Sequence, residues 1–280
     1  MPAILKPAFQ QRYGVGAFNI FDDLTMDAVL AAAAELQAPV IIQVSLKTVK
    51  ATGARLIQAQ FAVMAARVNI PATLHLDHCP DVTVIRECLE AGWNSVLFDG
   101  SQLDYESNIK QTREIVPLAS RYGAAVEGEI EAVRGVEDGI GRDMESVNVP
   151  TDLAAQFIHE TGIGSFAPAI GTAHGVYKKE PAINYAKLSD IVSLASIPMV
   201  LHGGTGLSPE VFRELIARGA VKVNISTQLK MTFLETMRKQ LNAVPTISEP
   251  LKVLTATREA VKQMAMKYIR VFGSEGKAHA

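Results

Sequence analysis

Met199-Val200-Leu201-His202-Gly203-Gly204 reads as a short apolar strand that ends in an imidazole and then in two glycines. Related layouts stand at Leu74-His75-Leu76-Asp77-His78 and at Ala169-Ile170-Gly171-Thr172-Ala173-His174-Gly175. Continuous apolar runs of this length, bounded by turn residues, are what strands buried on both faces look like. The three stretches lie on or just after strand candidates at Met199–His202, Ala72–Leu76 and Ser165–Ile170, and further candidates are Val15–Ile20, Val40–Val44, Ser95–Asp99, Ala125–Ile130 and Val221–Ile225. Helical periodicity fills the gaps, for example at Leu24–Leu36, Arg55–Val68, Val82–Ala91, Ile109–Tyr122, Thr151–Glu160 and Pro209–Arg218. Ser208-Pro209 offers a capping hydroxyl before a proline at the first helical position, and Gly92, Gly123, Gly162 and Gly219 stand where helices end.

Parallel strands need helical crossovers, and closing the sheet removes its edges. Eight strand–helix units in 280 residues therefore predict an α/β fold, a (β/α)8 TIM barrel, for which about 250 residues is typical. The whole of 1–280 is expected to be one barrel domain, with an active-site loop at about 131–149 and extra C-terminal helices at about 246–280. The alternative is an open doubly wound sheet, but no Gly-x-Gly-x-x-Gly follows the first strand.

With 48% apolar and 20% charged residues the chain can build a large core. A net charge of −2, with the basic residues scattered, speaks against binding nucleic acid or a membrane surface. No secretory apolar segment follows Met1, and no run approaches the roughly 18 apolar residues of a membrane span. Cys79 and Cys88 lack CxxC spacing and read as reduced thiols, which points to the cytoplasm.

Barrel active sites form at the C-terminal strand ends, where Asp77, His78, Glu129, His174, His202 and Asn224 all fall. Any one of the histidines could simply be satisfied by a nearby carbonyl. Their repeated position instead suggests three imidazoles converging on one metal ion with a coordination position left open. His75, inside its strand, reads as a buried hydrogen-bonded residue, His159 as exposed and His279 as part of the tail. Gly203-Gly204-Thr205-Gly206 and Asn224-Ile225-Ser226-Thr227 follow the seventh and eighth strands, the second leading into a helix, which together make a phosphate pocket.

These segments resemble the class II, zinc-dependent ketose-bisphosphate aldolases of the fructose- and tagatose-bisphosphate type. The likeness also runs through Gly16-Ala17-Phe18-Asn19-Ile20, Gly92–Ser101, Ala169–Tyr177, Lys222–Lys230 and Phe272–Ala278. The resemblance implies a catalytic zinc ion in each subunit held by His78, His174 and His202, with a monovalent cation as a further cofactor. Asp77 would exchange the proton of the substrate C4 hydroxyl, and Glu137 in the long loop the proton at C3. Asn19, Ser45, Gly175, Gly203, Gly204, Thr205, Asn224, Ile225, Ser226 and Thr227 would hold the dihydroxyacetone-phosphate half. Glu129 would stand behind the ligands and orient a histidine. The products would be dihydroxyacetone phosphate and an aldehyde, the assembly a homodimer or homotetramer, and no Schiff base is needed, so Lys222 and Lys230 are read as ordinary surface lysines.

Glu131 and Arg134 stand where the family usually has glycine, Thr205 where serine is frequent, and Ser226 where many fructose-bisphosphate enzymes carry aspartate. The aldehyde half therefore stays open among fructose, tagatose, deoxy and otherwise modified sugars. A metal-dependent sugar-phosphate isomerase or epimerase, and a non-catalytic partner subunit of an aldolase, are the competing readings.

Overall fold

A computed structural model of the chain describes residues 1–131, 149–175, 177, 181–243 and 248–279. Its strands are β1 (Val15–Asn19), β2 (Val40–Ser45), β3 (Ala72–Cys79), β4 (Ser95–Asp99), β5 (Ala125–Glu129), β6 (Ser165–Ala167), β7 (Met199–Leu201) and β8 (Ala220–Ile225). They pair in sequence order, all parallel, and β8 returns to β1 through Val15↔Lys222 and Ala17↔Asn224, so the sheet is a closed barrel. The expected (β/α)8 architecture is the observed one. The open-sheet alternative fails on the β1–β8 pairing.

The helices among the described residues are α1 (Pro2–Gln11), α2 (Asp23–Glu35), α3 (Leu46–Thr52), α4 (Ala54–Ala65), α5 (Val82–Glu90), α6 (Tyr105–Arg121), α7 (Thr151–Thr161), α8 (Tyr185–Ala195), α9 (Pro209–Ala217), α10 (Thr227–Ala243) and α11 (Pro250–Phe272). Their starts show why these segments are helical. Asp22 and Thr25 form a reciprocal capping box on α2, Asp104 accepts from Ser107 N–H on α6, and Ser208 accepts from Val211 N–H on α9. The outer shell packs on the barrel through wholly buried Trp93, Phe157, Phe166 and Phe212, and Trp93 also donates its indole N–H to Ala54 O at 3.1 Å.

Helix α1 was not marked by periodicity, because Pro2 and Pro7 sit inside its span. It nevertheless forms a separate apolar cluster, Ile4, Leu5 and Ala8 against Val15, Ile41 and Val221 at the strand starts, on the side of the barrel opposite the strand ends. The expected C-terminal extension is one continuous helix, α11, packed against α2 and α10. Phe212 of α9 meets Tyr268 and Phe272 of α11 edge-on, so α11 is also tied to α9.

Glu131, singled out as a departure from glycine, is buried and paired. Its carboxylate receives Lys187 Nζ of α8 at 2.9 and 3.0 Å, the N–H of Val149, and the N–H of Ala169 at 3.3 Å. One side chain thus joins both flanks of the segment 132–148 to the barrel wall. Arg134 lies outside the described residues. Lys187→Met would leave the Glu131 carboxylate buried without its cation, at a cost of about 3–5 kcal/mol. Urea unfolding should show that loss, and Lys187→Met combined with Glu131→Gln should recover a large part of it. Wild-type stability in the single variant would mean that the pair contributes nothing.

Candidate metal and catalytic centre

In a regular strand Asp77 and His78 would point to opposite faces, because side chains alternate. Strand β3 breaks that alternation. Its register against β4 shifts between Leu76 and Cys79, and His78 has φ 43°, in the left-handed region that non-glycine residues rarely adopt. The bulge lets neighbouring residues serve one site. Asp77 turns toward β1, where Asn19 Nδ2 donates to its Oδ2 at 2.7 Å, and Gln43 Nε2 in turn holds Asn19 Oδ1 at 2.8 Å. His78 turns toward β4, its Nδ1 2.9 Å from Asp99 Oδ2.

His174, on the segment after β6, and His202, directly after β7, face the His78 ring, with centroids 5.4 and 4.7 Å away. One nitrogen from each of the three rings lies within 4.8 Å of the others. Carboxylates stand against two of the rings, His78 and His202. His202 Nε2 meets Glu127 Oε1 at 3.0 Å, while Glu129 sits 3.6 Å from His78 Nδ1 and 3.3 Å from His202 Nδ1. Glu129, read from the sequence as a residue behind the ligands, thus stands within reach of two of the histidines, and Asp99 and Glu127 each stand against one.

The charges in this cluster are coupled. Burial disfavours the protonated His78 ring, yet Glu129, Asp77 and Asp99 outweigh it and hold its pKa well above the ordinary value. His202 is raised in the same way by Glu127 and Glu129 against its burial. Burial would lift Glu129, but His78 and His202 pull it well below the usual carboxylate range. His75 is the opposite case: burial, then Lys222, push it far down, and its Nδ1 pairs with Ser95 Oγ at 2.7 Å.

This donor set fits a divalent cation. His78 Nε2 and His202 Nδ1 are buried and make no hydrogen bond among the described residues. Their rear nitrogens are fixed by carboxylates, as in metal-bound histidines. A divalent charge would replace that of the imidazolium protons that binding releases.

The remaining predicted residues gather around this centre. Ser45, at the end of β2 opposite Asp77, uses its hydroxyl to cap α3. Gly203 has φ 69°, and a Cβ there would come 2.4 Å from Ala173 O, so only glycine lets the His202 turn lie against the His174 segment. Tyr177 seals that contact, its hydroxyl accepting from Ala173 N–H at 3.0 Å and donating to Gly203 O at 2.6 Å. A Cβ on Gly204 would stand 3.2 Å from Asn224 O, which brings the turn after β7 against the end of β8. Thr205, Asn224, Ile225 and Ser226 are buried there, Thr227 opens α10, and Gly175 follows His174 with φ 92°. The N–H groups of the first turn of α10 lack intrahelical partners, as at any helix start, and suit an anion. Glu137 lies outside the described residues.

Sequence reading missed Gln43, Asp99, Glu127 and Tyr177 and misjudged one lysine. Lys222 is no surface residue: it is wholly buried, with Nζ 2.9 Å from Glu127 Oε2 and 2.9 Å from Asn224 Oδ1. Lys230 is half-buried. A signal existed, since Glu127/Glu129 and Lys222/Asn224 repeat at the two-residue spacing that keeps one strand face toward the interior.

A parallel barrel with a three-histidine donor set and a carboxylate at its strand ends defines a metal-dependent barrel enzyme. A family model described as fructose-bisphosphate aldolase class-II matches residues 1–277. The chain is 34% identical over 276 residues to the sulfofructosephosphate aldolase of Alkalicoccus urumqiensis, spanning 98% of this chain and 96% of the relative. It is 35% identical over 275 residues to the D-tagatose-1,6-bisphosphate aldolase subunit GatY of Klebsiella oxytoca, spanning 98% and 97%. The crystal structure of the YdjI aldolase from Escherichia coli K12 superposes with a TM-score of 0.86 at 30% identity, over 99% of this chain and 98% of that one. The chain belongs to the class II fructose-bisphosphate aldolase family, whose members are lyases that use a divalent metal.

Proposed function

We propose that this enzyme holds zinc on His78, His174 and His202 and reversibly cleaves a phosphorylated ketose to dihydroxyacetone phosphate and an aldehyde. The substrate is a ketose 1,6-bisphosphate or a 6-modified ketose 1-phosphate. One observation carries the reading: the β3 bulge turns Asp77 and His78 to adjoining parts of one site, so a proton acceptor stands beside the metal donors. Three imidazoles, two of them backed by carboxylates, suit zinc. The ion, one per subunit, supplies a Lewis acid for the electron pair that carbon–carbon cleavage leaves on the ketone half.

The side chains do the rest. Asp77, held by Asn19, takes the proton of the C4 hydroxyl as the bond breaks and returns it in condensation. Backbone N–H groups of Gly203, Gly204, Ser226 and Thr227 grip the phosphate, and Asn224 adds a donor beside it. That grip keeps the reacting carbons aligned with Asp77. Ser226, buried at the end of β8, stands where many fructose-bisphosphate enzymes carry aspartate, so the aldehyde half stays open between fructose bisphosphate and tagatose, deoxy or otherwise modified ketose phosphates. The relatives named for sulfofructose phosphate and tagatose bisphosphate fit that variation. The two reduced thiols fit the cytoplasm. Among the described residues no helix is long and apolar enough to cross a membrane.

The test is triose-phosphate release from fructose 1,6-bisphosphate, tagatose 1,6-bisphosphate and a set of 6-modified ketose 1-phosphates. Each is run with and without a chelator and with zinc added back. Release from one substrate, lost with chelator and restored by zinc, is expected. Interconverted sugars without triose phosphate would replace the aldolase reading with the isomerase one.

A further inference from the structure

A buried lysine is costly unless its ammonium is fully engaged, so the partners of one indicate what it is for. Lys222, on β8, is wholly buried and reaches in two directions, to Glu127 Oε2 on β5 and to Asn224 Oδ1 two residues further along its own strand. Each contact determines how another side chain must lie.

Glu127 spends Oε2 on the ammonium and presents Oε1 to His202 Nε2 at 3.0 Å. A carboxylate is an acceptor, so Nε2 keeps its proton, and Nδ1, 3.3 Å from Glu129 Oε2, is the nitrogen whose lone pair a metal ion would take as the second proton leaves. Asn224 meets an ammonium, which has no acceptor, so its oxygen faces Lys222 and its NH2 is the edge left for the pocket. His75 stands 3.8 Å from Glu127 Oε2 on the other side, kept neutral and tied to Ser95. It therefore does not displace the ammonium from the carboxylate.

We propose that Lys222 is a positioning residue that sets two parts of the site at once, the Nδ1-donating orientation of His202 toward the metal through Glu127, and the NH2-inward orientation of Asn224 toward the triose-phosphate half of the substrate. The proposal rests on the assignment of His202 as a ligand and Asn224 as a substrate contact. It makes metal affinity and triose-phosphate affinity depend on one buried side chain that touches neither ligand.

Two variants test it, Lys222→Met and Lys222→Met with Glu127→Gln. The second removes both charges of the buried pair, so the barrel is not left with an uncompensated carboxylate. Zinc affinity is read on the metal-free protein by competition with a chromogenic chelator. Dihydroxyacetone phosphate affinity is read calorimetrically at saturating zinc. Both variants are expected to bind zinc about ten- to a hundredfold more weakly. They are also expected to lose triose-phosphate affinity by a comparable factor, while the double variant melts near the wild-type temperature. A folded double variant that binds both ligands as the wild type does overturns the proposal. Loss of one affinity with the other unchanged overturns the link between them. His202→Ala is measured alongside: unchanged zinc binding there faults the ligand assignment, whereas lost zinc binding there, with wild-type affinities in the double variant, faults the role of Lys222.

Discussion

Asp77→Ala is expected to lower kcat by about 10²–10⁴-fold, the range a positioned general base contributes, while zinc stays bound. The carboxylate is almost wholly buried and held on one oxygen by Asn19, itself held by Gln43, so its orientation is set before substrate arrives. Pre-set orientation is what makes a proton acceptor effective, because no rearrangement has to accompany bond breaking. Asp77 is not among the three donors, and its charge raises the pKa of His78, which favours the proton that competes with a metal on that ring. Removing it takes away no donor, so zinc should stay bound, with its affinity changed only by the loss of one nearby negative charge. Asp77→Asn, which keeps the shape and cannot accept the proton, should fall as far as the alanine variant. The check is steady-state cleavage together with zinc content by elemental analysis. Turnover near the wild type in either variant would remove Asp77 from the chemistry.

Much of the barrel could be read from local pattern. Each strand is a short apolar run between turn residues, and the identity of the strand-end residues depends only on where each run stops. His78, His174 and His202 were legible for that reason. Side chains that work across the barrel were not. Glu127 and Lys222 lie ninety-five positions apart, on β5 and β8, and nothing local to Val221-Lys222-Val223 tells that the ammonium finds a carboxylate within the barrel. The β3 bulge was hidden as well, since Leu76-Asp77-His78 has no glycine to mark a left-handed residue. Helix α1 was missed for a different reason: its prolines argue against a helix locally, and tertiary packing against Val15, Ile41 and Val221 outweighs them.

His202→Ala should abolish stable zinc binding and, with it, cleavage. His202 is one of three imidazoles whose donor atoms cluster within 4.8 Å, and the removal of one leaves His78 and His174 with two positions to be filled by solvent. The loss of zinc affinity should exceed the about ten- to hundredfold that deletion of a residue supporting a ligand costs, because a bond to the metal itself is gone. The fold should tolerate the change. Glu127 keeps Lys222 as its counter-charge, so no carboxylate is stranded in the interior, and Gly203 keeps its contact with the His174 segment through Tyr177. A variant that melts near the wild-type temperature, contains no zinc after dialysis and recovers no activity on zinc addition is the expected result. Full metal occupancy would instead move the site to the other donors that share His78, Asp99 and Glu129, and would mean that the imidazole after β7 serves the substrate and not the metal.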